Sequence, residues 1–456
     1  MKPPKSRKAE LAPNAMGGGK SHAEAAESAE FKMTELGPIP VDWEVKEISD
    51  LYEVRSSKRV FQSQWRASGI PFYRARDIVG FRHGEKAIGG LFIDKALYEK
   101  YKRDYGVPSI GDLLVTAVGT LGNVFRVCNE SPFYFKDGNI IWFKFKGKYD
   151  SQLLEVLFES GFLDSQIYDT AGGSTVGTYT ISNAKKTLVP FPPLAEQRRI
   201  AGALSDVDEL ISALGKLIEK KRNIKTGAMQ QLLTGKTRLP GFGAKRTEFK
   251  QTELGPIPVD WEVKRLGECC TRIRNGFTYS VCNSGVYKVS RIETISKGVV
   301  NYSRVGYVKD EPPADYMLCN GDILFSHINS LPYIGNVALY DGKELLYHGM
   351  NLLLLRRSES VDAKYLYYAL SSVPMRSKAR ELAKIAINQA SISISDLSRS
   401  EIPIPPIAEQ RRITGVLSDM DAEIAALEAD RAKYERIKSG MMQELLTGKT
   451  RLRNGN

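Results

Sequence analysis

The sequence predicts a mixed α/β fold (α+β) with a pseudo-two-fold internal repeat. Two homologous globular domains are separated by two long antiparallel helices that form a coiled coil. Three observations predict this arrangement. The residues "TELGPIPVDWEVK" begin at Thr34 and again at Thr252, and a near-copied helical segment begins at Pro192 and again at Pro405. The regions between these repeats mix short β-rich runs with amphipathic helices.

The near-copied segments have the period of a long amphipathic helix. "PPLAEQRRIAGALSDVDELISAL" and "PPIAEQRRITGVLSDMDAEIAAL" place apolar residues alternately four and three positions apart. One such stripe equally fits a helix packed on its own domain, but two matching copies favour a helix pair. The first helix, Leu194 to Leu233, spans about 60 Å at about 1.5 Å per residue. The predicted helix-pair core consists of Ile200, Leu204, Val207, Ile211, Leu214, Ile413, Leu417, Met420, Ile424 and Leu427.

The regions between the repeats predict two α/β domains of one fold. "DLLVTAVG", "NIIWFKFK", "GDILFSHI" and "NLLLLRR" are strand-like, whereas "QLLEVLFESGFLDSQI" and "KYLYYALSSVPMRSKARELA" predict amphipathic helices. The repeated lead-in predicts a packed corner with Trp43 in a core. The predicted boundaries are a flexible N-terminal tail over 1–30, domains over 31–190 and 241–403, and helices over 191–240 and 404–456.

Composition restricts the class of protein. Lys and Arg number 65 against 53 Asp and Glu, a net charge of +12, which favours a polyanionic partner. No run of eighteen apolar residues is present to cross a bilayer, and residues 1–30 lack the apolar core of a signal peptide. The five cysteines form no CxxC pair and predict free thiols in a reducing, cytoplasmic compartment.

Motifs of catalysis are incomplete. "GGGKS" and both copies of "TGKT" lack the first glycine of a phosphate-binding loop, and "DWEVK" places its aspartate too close to its Glu-x-Lys for a nuclease. "FPPL" and "IPPI" lack the polar and aromatic residues of an amino-methyltransferase motif. The four histidines have no paired metal spacing, although a metal site formed by His327 and His348 near Cys319 stays open as an alternative. The sequence predicts no catalytic residue and no metal site.

The motifs together resemble a known family. The "TELGPIPVDWEV" lead-in, the "PPLAEQRRI" and "PPIAEQRRI" helix starts, the "LLTGKTRL" ends and two unlike globular domains are similar to the specificity (S) subunit of a type I restriction-modification enzyme. The resemblance implies two target recognition domains, each reading one half of a bipartite DNA sequence. It also implies that methyltransferase (M) subunits, two in number, dock on the helices, and that restriction (R) subunits join them where present.

The same resemblance implies a non-catalytic chain without a cofactor. S-adenosylmethionine is expected on the M subunits, which methylate adenine N6, and ATP and Mg²⁺ are expected on partner subunits. Two alternatives stay open: the DNA-reading portion of a fused restriction-methyltransferase, and a coiled-coil scaffold that does not bind DNA.

Candidate contact residues follow from residue type, because Arg, Lys, Asn and Gln read base edges and cations neutralise phosphates. In the first domain the predicted DNA-binding residues are Lys58, Arg59, Arg66, Arg74, Arg76, Arg82, Lys86, Ser174 and Thr175. In the second domain they are Arg272, Arg274, Tyr279, Lys288, Arg291, His327, Asn329, His348, Asn351, Asn388 and Gln389. The predicted subunit interface consists of Glu196, Gln197, Arg198, Arg199, Glu409, Gln410, Arg411 and Arg412.

Overall fold

The computed structural model describes residues 30–82, 87, 90–169, 177–243, 248–280, 282, 284–295, 297–386 and 389–452. Contacts divide the chain into two compact units. The first unit combines residues 1–208 with 436–456, and the second unit contains residues 209–435. Each long helix therefore contributes one end to each unit.

The first unit is an α/β domain built on four small sheets. Its strands are β1 Phe31–Thr34, β2 Gly37–Pro40, β3 Glu44–Glu47, β4 Tyr52–Arg55, β5 Trp65–Arg66, β6 Ile70–Tyr73, β7 Phe92–Ile93, β8 Leu113–Thr116, β9 Val124–Arg126, β10 Tyr134–Phe135, β11 Ile140–Phe145 and β12 Leu188–Phe191. Its shorter helices are α1 Ile48–Leu51, α2 Ala75–Arg82, α3 Lys95–Asp104, α4 Ser151–Glu159, α5 Asp164–Asp169 and α6 Ile181–Lys186. The long helix α7, Leu194–Leu232, follows.

The sheets of the first unit are largely antiparallel. Strand orders are β1-β2, β10-β6-β7-β5, β4-β11-β8-β9 and β12-β3, and only the β10–β6 pair among these described strands is parallel. The repeated lead-in forms the β1-β2 hairpin and strand β3. Strand β3 pairs with β12, the strand that leads into α7, with Glu44 opposite Phe191. The lead-in is thereby placed beside the start of the long helix.

The second unit repeats much of this plan. Its strands are β13 Phe249–Thr252, β14 Gly255–Pro258, β15 Glu262–Arg265, β16 Cys270–Asn275, β17 Tyr287–Val289, β18 Gly306–Val308, β19 Ile323–Phe325, β20 Ile328–Asn329, β21 Val337–Leu339, β22 Leu353–Arg357, β23 Lys384–Ala386, β24 Gln389–Ser391 and β25 Glu401–Ile404. Its helices are α8 Leu266–Cys269, α9 Ala363–Ser371, α10 Val373–Leu382, α11 Ile394–Ser398 and the long α12 Ile407–Leu445.

Corresponding sheets show that the two domains share a fold. The order β16-β22-β19-β21 in the second unit matches β4-β11-β8-β9 in the first, and β15-β25 matches β12-β3. The two larger sheets each include a strand that follows a Gly-Asp turn, with Gly111 at φ +89° and Gly321 at φ +90°. The buried Asp112 accepts a hydrogen bond from the Trp142 indole at 2.8 Å, whereas Asp322 pairs with Arg356 at 2.7 Å. The turn is common to both domains, but the partner of its aspartate differs.

Each amphipathic helix predicted for the domains is two helices in the structure. Gly161, at φ +74°, separates α4 from α5, because a left-handed residue ends an α-helix. Ser372 separates α9 from α10: its side chain caps the second helix, and Pro374 stands in the first turn. Proline fits the first turn of a helix, because its missing N–H needs no partner there.

The long helices α7 and α12 have 39 residues each, as the repeat pattern predicts. Within the described parts of the chain, no helix combines the length and the apolar character needed to cross a membrane. All five cysteines are unpaired thiols.

Candidate nucleic-acid interface and the helix junctions

The repeated lead-in of the first domain meets both long helices at a buried ion pair. Trp43 is fully buried, and its indole nitrogen donates to Glu196 Oε2 at 3.1 Å in the first turn of α7. Arg451, just beyond α12, donates to both Glu196 oxygens at 2.7 Å and to both Asp42 oxygens at 2.8 Å. We call Asp42, Trp43, Glu196 and Arg451 the first junction cluster.

The second unit contains the same arrangement. The Trp261 indole donates to Glu409 Oε2 at 3.0 Å in the first turn of α12. Arg238, just beyond α7, donates to the Glu409 oxygens at 2.6 and 2.7 Å and to the Asp260 oxygens at 2.9 Å. Asp260, Trp261, Glu409 and Arg238 form the second junction cluster. The repeated "VDW", "AEQ" and "GKTRL" letters thus meet in space in each unit.

The electrostatics of the clusters favour the ionised forms of Glu196 and Asp260. Burial by itself raises the pKa of Glu196, but hydrogen bonds from Arg451 and Trp43 outweigh burial and leave the pKa below its ordinary value. Asp260 also has a lowered pKa, chiefly because Arg238 donates to it. A guanidinium presents its donors in a planar fork that matches two carboxylates, a geometry that lysine cannot reproduce.

The glutamine beside each buried glutamate ties the long helix to a domain helix. Gln197 Oε1 accepts from the backbone nitrogen of Asp150, the N-cap of α4, at 2.8 Å, and its amide donates to Pro192 O at 2.7 Å. Gln410 makes the equivalent bonds to Asp362 and Pro405, both at 2.8 Å. The "EQ" of the repeat is therefore satisfied inside the chain.

These findings change the assignment of four of the eight residues in the predicted subunit interface. Glu196, Gln197, Glu409 and Gln410 are buried and bonded within the chain, so we assign them to its own packing. The remaining predicted interface residues differ in exposure: Arg199 is half-buried and donates to the Leu452 carbonyl, whereas Arg198, Arg411 and Arg412 are exposed. For these last three residues the interface assignment stays a prediction.

The apolar stripe of the long helices has two environments. Its first residues pack into domain cores: Ile200 and Leu204 join the core of the first unit with Leu445 and Leu446, and Ile413 and Leu417 join that of the second. Of the later stripe residues Ile424 is buried, and the others are half-buried: Val207, Ile211, Leu214, Met420 and Leu427. The reading in which each helix packs on its own domain therefore holds for the start of each stripe.

Ion pairs join the two long helices. In the second unit Lys221 pairs with Glu423, Arg222 with Glu428 and Lys225 with Asp421. In the first unit Lys438 lies 2.7 Å from Asp208. Lys221 and Lys225 interrupt the apolar stripe, and the structure gives each of them a carboxylate on the opposite helix. Within the second unit the pairing runs antiparallel, since Lys225 meets an earlier residue of α12 than Arg222 does.

In the first domain, the predicted DNA-binding cations have unequal surroundings. Lys58 Nζ lies 5.0 Å from the Tyr105 ring centroid, Arg59 pairs with Asp137 at 2.8 Å, and Arg66 lies 3.4 Å from Asp94. Arg74 is half-buried, with its Nε buried and unpartnered among the described residues. Arg76 is exposed in the first turn of α2. Lys58, Arg59 and Arg66 are exposed as well, so all of these cations except the half-buried Arg74 are accessible.

In the second domain, one part of the predicted surface is basic and aromatic. Arg272 and Arg274 alternate along β16 and therefore share a face of the strand. The Arg274 guanidinium lies 3.7 Å from the Tyr316 ring centroid, and Arg272 donates to Asp315 O. Phe277 links this pair to Tyr279, with ring centroids 5.3 Å apart. The structure brings these predicted residues together.

Within that group Arg274 also pairs with the Asp315 carboxylate, and the other predicted residues of the second domain lie apart from the group or have partners of their own. Lys288 pairs with Glu344, Arg291 lies 3.4 Å from Glu293, and Asn329 donates to Ser326 Oγ. Asn351 is exposed with a left-handed φ of +69°, and Gln389 is exposed at the start of β24. Lys86, Ser174, Thr175 and Asn388 lie outside the described residues, as does the side chain of Arg82.

The two predicted histidines lie in the interior. His348 is completely buried and His327 nearly so. His348 Nε2 lies 3.0 Å from the Leu352 carbonyl oxygen, which only accepts, so this nitrogen carries the proton. Burial lowers the pKa of each histidine to about 4. Neither side chain reaches a base edge from this position, so we remove both from the predicted DNA surface. Among the described residues, no cluster of three or more His, Cys, Asp and Glu residues is placed to hold a metal.

Sequence reasoning missed the junction clusters. Arg238 and Arg451 were visible only as the ends of "LLTGKTRL", and Asp42 and Asp260 only as part of the lead-in. The available signal was the exact repetition of both stretches, which is consistent with an equivalent contact in each half.

Comparisons with known proteins agree with the duplicated geometry. The model of the type I restriction modification DNA specificity domain matches residues 40–223 and 258–438. The putative type I restriction enzyme MjaX specificity subunit of Methanocaldococcus jannaschii is 44% identical over 209 residues, 44% of this chain and 49% of that protein. The MjaVIII specificity subunit of the same organism is 32% identical over 314 residues, 65% of this chain and 69% of that protein. The chain thus spans about half the length of the first of these relatives.

Solved structures show the same fold. A chain from a structure of a type I R-M system covers 90% of this chain and 99% of its own length, with a TM-score of 0.54 at 20% identity. The S subunit from M. genitalium covers 88% and 96%, with a TM-score of 0.53 at 16% identity. Since one family model matches both halves of the sequence, the chain belongs to the family of specificity (S) subunits of type I restriction-modification systems.

Proposed function

We propose that each domain of the chain reads one half of a bipartite double-stranded DNA target. The observation that carries this proposal is the duplicated specificity domain, matched over residues 40–223 and 258–438. Two related folds with different surface residues suit two different half-sites. The exposed Arg76 in the first domain and the half-buried Arg272–Arg274–Tyr316 group in the second supply cations and rings of the kind that contacts with DNA require.

The chain itself is the non-catalytic member of its complex. S-adenosylmethionine chemistry on adenine N6 belongs to methyltransferase subunits, two of which dock on the paired helices. ATP and Mg²⁺ belong to partner subunits, including restriction subunits where they are present. The proposed compartment is the cytoplasm, where both DNA and free thiols are expected. The exposed Arg198, Arg411 and Arg412 beside the helix starts are the side chains available to a docking partner.

The helix pair completes the proposal. Ion pairs between α7 and α12 support a coiled coil, because charged pairs flanking an apolar seam fix the register of paired helices. Two helices that cannot slide along each other form a pair of fixed length. The coiled coil would then set the length of the unread spacer between the half-sites.

Methylation mapping tests the proposal. The chain is expressed with its methyltransferase subunit in a host that lacks other adenine methylation, and N6-methyladenine is located by long-read sequencing. The expected result is one bipartite target with a fixed spacer. Replacing residues 45–189 by another domain of the family should change one half of that target and leave the other unchanged. Methylation without a bipartite target, or a change in both halves, contradicts the proposal.

A further inference from the structure

Recognition of DNA does not explain why the lead-in is repeated letter for letter. Trp43 and Trp261 are buried, and Asp42 and Asp260 are held by arginines of the same unit. The two tryptophans therefore belong to no reading surface, and the two aspartates, although partly exposed, are engaged within their own unit. Their contacts connect three parts of the chain: the start of a domain, the start of one long helix and the end of the other.

The contacts are directional at every point. In the second cluster, the Arg238 Nε and one terminal nitrogen bind Glu409, and the two terminal nitrogens bind Asp260. The guanidinium also lies 5.7 Å from the Trp261 ring centroid, and the Trp261 indole fixes the same glutamate. One planar group is thus held by two carboxylates and packs beside a ring. A rotation of the domain on its helices would break several of these bonds together.

The backbone at the helix end adds a steric limit. Gly235 follows α7 at φ +68°, and a Cβ built on it would lie 2.5 Å from Pro258 of the lead-in. Gly448 follows α12 at φ +69°, and a Cβ built on it would lie equally close to Pro40 of the other lead-in. Each helix end lies directly against the lead-in of a domain, so the domain has little room to tilt there.

A buried ion pair is a poor means of gaining stability. Desolvation of the charges offsets most of their attraction, and apolar packing of the same volume often stabilises equally well. What the ion pair adds is a defined geometry, since a forked hydrogen bond is satisfied at one orientation only. The duplication of all four residues in both units fits a requirement for orientation at two places.

We infer that Arg238 and Arg451 are positioning residues: each fixes the angle between a recognition domain and the ends of its helices, and so restricts the spacer length that the protein accepts between half-sites. The inference rests on the proposed reading of a bipartite target. Neither arginine contacts DNA in this scheme. Each acts through the glutamate, aspartate and tryptophan of its cluster.

Binding to DNA of varied spacer length tests the inference. Once methylation mapping gives the target, the full chain with its methyltransferase subunit is titrated with duplexes whose spacer is shorter or longer by one or two base pairs. We expect the unmodified protein to lose at least about tenfold in affinity for each base pair of change, as for a mismatched position. The Arg238→Met and Arg451→Met variants should lose less than about threefold in affinity for each base pair of change in the spacer. Arg238→Lys should behave like Arg238→Met, because an ammonium lacks the planar fork that pairs with both carboxylates in one fixed orientation.

The matched control is Arg399→Met, which removes an exposed arginine of the same unit that pairs with Asp396. It should keep the narrow spacer profile. An unchanged profile in Arg238→Met, or equal loss of affinity at every spacer together with a lower melting temperature, overturns the inference. If Arg238→Met does not fold, the half-exposed Asp260 is changed to Asn, and an unchanged profile in that variant overturns the inference as well. If the unmodified protein itself shows no fixed spacer, it is the proposed function that fails.

Discussion

The buried histidine pair makes the second domain sensitive to mild acid. Burial lowers the pKa of His327 and of His348 from 6.5 to about 4 in the folded state. At neutral pH both are uncharged whether the domain is closed or open. Below pH 6.5 the histidines of an opened domain take up protons and those of the closed domain do not. The contribution of the two histidines to the stability of the closed domain is therefore complete above about pH 6.5 and is lost as the pH falls towards 4.

The magnitude follows from proton linkage. Between pH 7 and pH 5 each histidine whose pKa falls from 6.5 to about 4 costs about 2 kcal/mol of stability. That cost raises the population of the open state about 30-fold for each histidine exposed. The relevant strands are β19 and β22, which lie next to the histidines in sequence and form the centre of the larger sheet of the second unit.

Hydrogen exchange measured by mass spectrometry on the full chain provides the assay. After correction for intrinsic exchange rates, peptides covering β19 and β22 should lose protection between pH 7 and pH 5. Peptides covering the corresponding strands β8 and β11 should keep theirs. Counting from the Gly-Asp turns, Ala117 stands where the second domain has His327, so His327→Ala is the natural variant and should halve the effect in free energy. Equal protection at the two pH values in β19 and β22 would refute the reasoning.

Three further outcomes are expected. Leu417→Asp should unfold the second domain before it affects any partner, because Leu417 is fully buried in that domain's core. Circular dichroism should show a loss of secondary structure. A variant that stays folded and only fails to bind the methyltransferase subunit would contradict this prediction. Inserting four residues into each long helix, one insertion beside Gly215 and the other beside Arg431, which lies opposite Gly215, lengthens the helix pair by about 6 Å. This change should lengthen the spacer of the methylated target by one or two base pairs, whereas inserting two residues into each helix should abolish binding. An unchanged spacer would show that the helices do not measure DNA. Arg76→Ala should weaken binding of the mapped target by about 1–3 kcal/mol if Arg76 reads a guanine, while equal losses on random DNA would identify a phosphate contact.

Local pattern was enough to predict much of the fold. The alternating steps of four and three predict α7 and α12, and the β-rich runs predict β8, β11, β19 and β22. Repetition of the letters predicts two domains of one fold, and the shared strand order supports that prediction. The domain boundaries and the DNA contacts stay predictions.

Contacts between distant segments could not be predicted in the same way. Arg451 binds Glu196 and Asp42, which precede it by 255 and 409 residues, and no local period reports such a pairing. The burial of His348 likewise depends on strands that surround it in space. A polar residue type suggested a surface position, and tertiary packing decided otherwise. The glutamate and glutamine of "AEQ" were misplaced for the same reason.

The discontinuity of the first unit has a consequence for synthesis on the ribosome. Residues 209–435 form the second unit without interruption, but the first unit needs residues 436–456 to complete its core. Leu445, Leu446 and Arg451 leave the ribosome after the whole of the second unit, so the first unit is completed only after residues 209–435 have been made. Until then Trp43 and Leu204 lack part of their packing, and such exposed apolar surface is what chaperones and proteases recognise. A chain that ended near residue 435 would therefore contain a second unit whose residues are all present and a first unit whose core is incomplete.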